Sequence, residues 1–243
     1  MKSSSQSSEK KHLRSDQVFE QRVRVLVSPS GLKKYKAQHD GYRCHWLPRL
    51  LASILVMGGT LLYGQNPSYL KFRAVEVIAR VPYHSWQGVG FLLLTLFYTD
   101  EKRALQLAQT AEFARIAQDN ETMHVVVISA LAEQEERSWF LRDTVAPLCF
   151  AFFYFMMSWL MYLIKRRWSF ELNYLFEQHA FDQYELFLKQ QKVQLLQKRV
   201  QSDYLSWYGR HPNNQYDFFV SIRNDEIIHR NDSIDMIVAL GLR

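Results

Sequence analysis

The chain has 243 residues, of which 48% are hydrophobic, and this excludes a protein that is disordered throughout. Its net charge of +6 comes largely from clusters at residues 10–11, 33–36 and 165–167. Because two of these clusters flank apolar segments, we expect the basic charge to meet a lipid bilayer and not nucleic acid.

The first 45 residues are polar and basic, with no clear periodicity. We predict that residues 1–45 form a flexible N-terminal tail without chemistry of its own, and that residues 46–243 form a single helical domain. The start of the tail also lacks the apolar stretch of a secretory signal peptide.

The next two segments are mostly apolar. Residues 50–70 carry no charge but are interrupted by Gly64 and Pro67. This pattern predicts a membrane-associated helix that lies in the interface and breaks near Gly64. Residues 71–98 are predicted to be helical at least through Arg80.

Three further helices are predicted in the second half of the chain. Residues 101–140 have the period of an amphipathic helix. Residues 145–164 carry no charge, and a helix of that length is about 30 Å long, so it can span a bilayer or lie in one leaflet. We favour the second, monotopic arrangement. Residues 170–201 form another helix, and the last begins near Tyr216. No strand pattern is present, and the predicted class is all-α.

Glutamate and histidine three residues apart share one face of a helix, so both can reach one metal ion. Chance alone predicts about 0.4 such pairs in a chain of this composition. The pairs present are Glu9 with His12, Glu121 with His124, and Glu226 with His229. The first pair lies in the polar tail and is set aside, because a metal ligand needs a rigid, buried setting.

Two isolated glutamates complete a four-helix pattern. A bundle that binds two irons takes one Glu from each of two helices and a Glu-x-x-His from each of the other two. Glu76 lies in the apolar run AVEVIA and Glu177 in LNYLFEQHAF, so the successive glutamates are 45, 56 and 49 residues apart. Taken singly, Glu76 could pair with Arg73 or Arg80, and Glu177 could be a solvated helix residue. Their joint order favours a ferritin-like four-helix diiron bundle.

Four segments resemble, in this order, the iron-binding helices of the alternative oxidases, the membrane-bound diiron quinol oxidases of mitochondria, plastids and some bacteria. These segments are EVIARVP, NETMH, LFEQHAFDQYELFL and RNDEIIHR, and the resemblance covers roughly residues 70–235. It implies an enzyme that oxidises ubiquinol and reduces O2 to water without pumping protons. It also implies two iron ions, a homodimer, and a place in the respiratory inner membrane of a mitochondrion or a bacterium.

The resemblance also implies roles for particular residues. Tyr184 falls where the family has its redox-active tyrosine, although a core tyrosine with a satisfied hydroxyl is the alternative. Asn120 and Asp225 would orient the ligands. The two irons would be bound by Glu76, Glu121, His124, Glu177, Glu226 and His229. The quinol pocket would contain Lys71, Val75, Ala180 and Gln183.

Several residues depart from the family pattern. Lys71 stands where arginine is usual, Gln183 where a small hydroxyl residue is usual, and Gln178 and His179 replace two glutamates. These departures leave the six ligands intact and affect the expected quinol pocket. His179 and Asp182 are expected to make new contacts near the third metal-binding glutamate. Two alternatives stay open, namely a diiron hydroxylase of a quinone precursor and a ferritin-like iron-binding membrane protein.

Overall fold

The computed structural model describes residues 16–242, and this part of the chain is all-α, as predicted. The Glu9–His12 pair lies outside the described residues. The helices are α1 (Gln17–Val25), α2 (Pro29–Ala37), α3 (Trp46–Tyr63), α4 (Tyr69–Ala79), α5 (Val81–Phe97), α6 (Glu101–Glu135), α7 (Ala146–Gln197), α8 (Asp203–Tyr208) and α9 (Gln215–Ala239), with a π-helical turn, Leu141–Val145, directly before α7.

A ferritin-like four-helix bundle forms the centre of the molecule and confirms the predicted fold class. Its helices are α4 continued by α5, α6, the second half of α7, and α9. Each contributes a buried apolar side chain to one shared core, and these are Phe72, Met123, Tyr184 and Phe219. Phe72 stacks on Tyr184 with ring centroids 4.1 Å apart, so the core packs directly beside the polar centre of the bundle.

Local sequence explains where the helices of the first half begin and end. Gly64 ends α3 with a φ of 77°, a conformation that favours glycine, and this is the predicted break. Ser68 then caps α4 by accepting a hydrogen bond from the backbone N–H of Lys71. Pro82 lies in the first turn of α5, where its missing N–H costs nothing, and separates α5 from α4.

Helix α7 reverses direction at Lys165, whose φ of −151° and ψ of 96° are not helical. The two halves pack against each other, because the hydroxyls of Ser158 and Ser169 lie 2.8 Å apart and the rings of Tyr154 and Phe176 lie 5.5 Å apart. The charge-free segment predicted at 145–164 is therefore one arm of a helical hairpin, and the other arm belongs to the bundle.

The predicted flexible tail differs from the structure over residues 17–37, which form α1 and α2. Asp16 and Ser28 cap these helices by accepting backbone N–H bonds of 3.0 and 3.2 Å. The buried side chains of α1 pack against apolar side chains of α7 and α9, and together these are Phe19, Val23, Leu26, Phe181, Ile227 and Ile228. Because only two apolar residues of α1, Phe19 and Val23, are buried, its amphipathic pattern was missed.

Large apolar side chains are exposed on α3, α5 and α7. By length and composition, Trp46–Tyr63 and the apolar part of Leu141–Gln197 are long enough to cross a membrane. The exposed side chains include Met57 and Leu61 of α3, Phe91 and Leu96 of α5, and Phe152 and Ile164 of α7. A surface of this kind is typical of a site that binds a membrane or another protein.

Candidate metal centre

The structure brings the six predicted ligands together in the middle of the bundle, and all six side chains are fully buried. Their donor atoms form two groups of four, and within each group every atom lies within 4.8 Å of the others. The first group is Glu76, Glu121, His124 and Glu226. The second is Glu121, Glu177, Glu226 and His229. Glu121 and Glu226 belong to both groups, which is the arrangement expected of carboxylates between two metal ions.

The helical period explains this convergence. In α6 and α9 the glutamate and the histidine are three residues apart and lie on the inner face. Glu76 faces these residues from α4. Arg73 donates to the backbone carbonyl of Asp143 at 3.1 Å, so its guanidinium is directed away from Glu76. The alternative pairing of Glu76 with Arg73 is therefore not what the structure shows.

His124 has two chemically different neighbourhoods. Its Nδ1 faces the carboxylates, at 3.1 Å from Glu76 and 3.4 Å from both Glu121 and Glu226. Its Nε2 lies 2.7 Å from Oδ2 of Asp225. A histidine held by an outer carboxylate at one nitrogen, with the other nitrogen free for a metal, is the usual arrangement of a metal ligand. Burial alone would lower the pKa of His124, but the neighbouring carboxylates outweigh burial and raise it.

Asp225 is itself held in place by other residues. Asn120 donates to its Oδ2 at 3.2 Å, and Arg210 donates to both of its oxygens at 2.5 and 3.1 Å. Burial opposes ionisation of Asp225, but the Arg210 guanidinium outweighs burial and lowers the pKa of this carboxyl. Asn120 also donates to the hydroxyl of Tyr208 at 3.2 Å. Asp225 thus contacts a candidate ligand directly, whereas Asn120 reaches the centre through Asp225.

His229 is bounded by aromatic rings. Its centroid lies 5.4 Å from that of Phe19 and 5.6 Å from that of Tyr83. Its Nδ1 is 2.7 Å from Oε1 of Glu121, but neither ring nitrogen has a partner in hydrogen-bond geometry.

Two buried tyrosines donate to candidate ligands. The hydroxyl of Tyr184 donates a short hydrogen bond to Glu76, and that of Tyr83 donates to Oε1 of Glu177 at 2.8 Å. Burial, reinforced by nearby carboxylates, raises the pKa of both tyrosines well above the usual range. Each tyrosine therefore keeps its proton at neutral pH and holds one carboxylate in place.

The donor chemistry fits a pair of metal ions. Buried atoms without a hydrogen-bond partner include both oxygens of Glu121 and Glu226, Oε2 of Glu177, and both nitrogens of His229. Burying polar atoms without partners costs free energy, and metal ions bound between these atoms would remove that cost by coordinating them. In the metal-free protein, burial and then the charge of Glu121 raise the pKa of Glu76 to about 8 and of Glu177 to about 7. Four carboxylates and two imidazoles form a donor set that suits iron.

An apolar cavity lies beside this centre, between α3, α4 and both arms of α7. Two of the predicted quinol-pocket residues, Lys71 and Val75, line it, whereas Ala180 and Gln183 are not among its lining residues. The ammonium of Lys71 donates to the carbonyls of Gly64 and Gln65, each at 3.0 Å. Burial removes the Lys71 ammonium from water and lowers its pKa. The two carbonyl oxygens therefore supply the contacts that water would otherwise provide.

The departures at residues 178–182 divide between the cavity and the surface. His179 lines the cavity, where burial and the charge of Lys71 lower its pKa. Asp182 is exposed and accepts a hydrogen bond from Gln178 at 2.9 Å. Only His179 is therefore in a position to act near the centre.

Together, the fold and the site define a carboxylate- and histidine-rich four-helix bundle with places for two metal ions. The family model for the alternative oxidases matches residues 60–236, and the chain belongs to this family. An alignment of 185 residues, with 26% identity, relates it to ubiquinol oxidase 4, chloroplastic/chromoplastic, of Arabidopsis thaliana. This alignment covers 68% of the chain and 50% of the relative, so the chain spans about half the length of that protein. No solved structure matches the chain significantly.

Three residues in and around the centre were missed in the sequence, namely Tyr83, Arg210 and Glu20, whose carboxylate lies 2.6 Å from the Arg210 guanidinium. Tyr83 had a usable signal, because it lies seven residues after Glu76, just as Tyr184 lies seven residues after Glu177. Arg210 lies in an irregular segment beyond α8, and Glu20 lies in the predicted tail, so no periodic pattern connects either of them with the bundle.

Proposed function

We propose that the protein is a diiron quinol oxidase that oxidises ubiquinol and reduces O2 to water. The observation that carries this proposal is the cluster of buried carboxylate and imidazole atoms without hydrogen-bond partners, in a member of the alternative oxidase family. The relative from Arabidopsis thaliana is named as a ubiquinol oxidase, which supports ubiquinol as the substrate class.

The two groups of donor atoms suggest how the irons would be held. Glu76 with His124 would hold one ion, Glu177 with His229 the other, and Glu121 and Glu226 both. Two irons held in this way supply electron storage and O2 activation. The protein keeps Glu76 and Glu177 in place through the hydroxyls of Tyr184 and Tyr83.

The protons and electrons released by the quinols match those consumed by O2, so the reaction does not require proton pumping. Two quinols release four electrons and four protons, and one O2 takes up the same number to give two waters. Tyr184 is fully buried against the ring of Phe72 and bonded to Glu76. Its phenolic hydrogen can therefore leave as a proton towards the Glu76 carboxylate while the ring gives an electron to the O2 that is being reduced. This geometry supports a redox role for Tyr184 and gives it a function that iron storage would not need.

The apolar cavity supports a quinol route from the lipid phase. Its wall includes α3 and the first arm of α7, and both segments also expose apolar side chains on the outside. We propose that these segments lie in one leaflet of a respiratory inner membrane, mitochondrial or bacterial, and that the enzyme is a homodimer. Lys71 has a third N–H beyond its two carbonyl bonds and can donate it to a quinol oxygen. Val75 lines the same cavity, and Ala180 and Gln183 are proposed to border the quinol on α7.

The test is metal analysis of the purified protein in detergent beside an oxygen-electrode assay with a short-chain ubiquinol. We expect about two irons per chain and O2 uptake that cyanide does not inhibit, with two quinols consumed per O2. A hydroxylase of a quinone precursor would instead insert oxygen into its substrate, and a storage protein would bind iron without sustained quinol oxidation. Fewer than about two irons together with no O2 uptake would refute the proposal.

A further inference from the structure

A continuous polar chain connects the N-terminal helix α1 with the candidate metal ligand His124. Glu20 pairs with Arg210, with distances of 2.6 Å to Nη2 and 3.3 Å to Nε. Arg210 pairs with Asp225, and Asp225 lies 2.7 Å from Nε2 of His124. Arg210 is only 7% exposed and Glu20 only 14%, so water weakens these contacts little.

The backbone around Arg210 is arranged for this contact. Gly209 ends α8 with a φ of 102°, and the N–H groups of both Gly209 and Arg210 donate to the carbonyl of Leu205, at 2.9 and 3.0 Å. This turn directs the guanidinium into the space between Glu20 and Asp225. One cation is thus shared by two carboxylates that come from different ends of the chain.

The pairing of Arg210 with two carboxylates matters because it affects how strongly Asp225 can accept a hydrogen bond from His124. An arginine neutralised by Asp225 alone would draw more charge from that carboxylate and weaken its bond with His124. An outer carboxylate that accepts more weakly makes the imidazole a poorer metal ligand and fixes its ring less firmly. The second carboxylate, Glu20, shares the positive charge of Arg210, so Asp225 keeps more negative charge for its bond with His124.

We propose that Glu20 is a positioning residue of the metal centre, which acts through Arg210 and Asp225 on the orientation and donor strength of His124. The inference rests on the proposed function, because it requires that His124 binds a metal ion. It makes the N-terminal helix part of the metal site, although that helix contributes no ligand.

The structure offers a control that separates this role from simple docking of α1. The helix is also held on α9 by an ion pair between Arg22 and Asp232, and by a 3.0 Å hydrogen bond from Asn224 to the carbonyl of Val23. Arg22→Gln breaks a salt bridge that docks α1 on α9 but leaves the pairing of Arg210 with both carboxylates intact. Glu20→Gln keeps the size of the side chain and removes only its charge.

The experiment uses the full chain, stripped of metal and titrated with Co(II), whose visible absorption reports on its ligands. Replacing a direct outer partner such as Asp225 typically costs about 10- to 100-fold in metal affinity, so Asp225→Asn is the positive control. For Glu20→Gln, which is one contact further out, we expect a loss of about three- to tenfold and a shifted absorption band. Arg22→Gln should leave both at their wild-type values.

The outcomes are distinct. Weaker binding and a shifted band in Glu20→Gln, with Arg22→Gln unchanged, support the inference. Wild-type behaviour of Glu20→Gln overturns it, and so does an equal loss in Glu20→Gln and Arg22→Gln, because that loss would reflect docking. If the unchanged chain does not bind two metal ions, the proposed function itself fails, and this is seen before any variant is compared.

Discussion

Tyr83 and Tyr184 occupy matching positions on the two sides of the candidate metal centre. Each lies seven residues after a glutamate of its own segment, and each donates to the glutamate of the other segment. The crossed bonds connect α5 with Glu177 of α7, and α7 with Glu76 of α4. The two tyrosines therefore hold Glu76 and Glu177, the carboxylates that each belong to one donor group only, and they also connect the helices of the bundle.

Tyr83→Phe should destabilise the protein by leaving Oε1 of Glu177 without its donor. Removing one partner of a buried hydrogen bond costs about 1–3 kcal/mol, and chemical unfolding in detergent measures this loss. The matched control is Tyr154→Phe, because Tyr154 is equally buried and its hydroxyl has no hydrogen-bond partner. That substitution should be close to neutral. Equal losses in the two variants would contradict the role given to Tyr83.

Tyr184→Phe tests turnover separately from metal binding. The substitution keeps the ring that stacks on Phe72 but removes the hydroxyl that is bonded to Glu76. We expect the iron content to stay close to that of the unchanged protein, while quinol oxidation falls by at least about tenfold, equivalent to about 1.4 kcal/mol in the barrier. Oxygen-electrode rates per bound iron measure the effect. An unchanged rate would refute the redox role of Tyr184.

The metal centre was predictable because it depends on local periodicity and on the cost of buried charge. Glu121 with His124, and Glu226 with His229, share helix faces whatever the rest of the chain does. Glu76 stands in an apolar run, where an ion needs a partner. These features can be recognised within single segments of the sequence. Their order along the chain then predicted the ferritin-like four-helix bundle.

The parts that were missed depend on contacts between distant segments. Glu20 and Arg210 are 190 residues apart, and nothing in either segment indicates the other. The reversal at Lys165 is equally hidden, because the residues around it have good helical propensity and only tertiary packing turns the chain. Helix α1 carries too few apolar residues to be recognised alone, and its burial becomes evident only beside α9.

Substitutions of shared and unshared ligands should differ in iron content. Glu226 belongs to both donor groups, so Glu226→Gln should reduce the iron content to well below one ion per chain. Glu76 belongs to one group only, and Glu76→Gln leaves the four donors of the other group intact. We expect about one iron per chain for Glu76→Gln, measured by metal analysis after reconstitution with Fe(II). Equal iron contents in the two variants would rule out Glu226 as a shared ligand.

Cys149 can report on the membrane-facing surface. It is exposed on the first arm of α7, whereas Cys44 is buried. In vesicles, we expect a lipid-soluble maleimide to label Cys149 and a charged, water-soluble maleimide to leave it unmodified. A Ser206→Cys variant supplies the control, because residue 206 is exposed on α8, which is not one of the long apolar helices, and should react with both reagents. Rapid labelling of Cys149 by the charged reagent would argue against burial of this arm in lipid.

The pH dependence of quinol binding should depend on Lys71. Because burial lowers the pKa of Lys71, its ammonium loses its proton at a lower pH than an ordinary lysine. If the ammonium donates to the quinol, KM should rise over a pH range that lies below the ordinary lysine pKa of 10.5, while kcat changes less. Lys71→Arg should remove this rise, since a guanidinium stays protonated throughout that range. Rates are corrected for quinol autoxidation, and Lys189→Arg, at an exposed position of α7, serves as the matched control. An unaltered alkaline rise of KM in Lys71→Arg would exclude Lys71 as the donor.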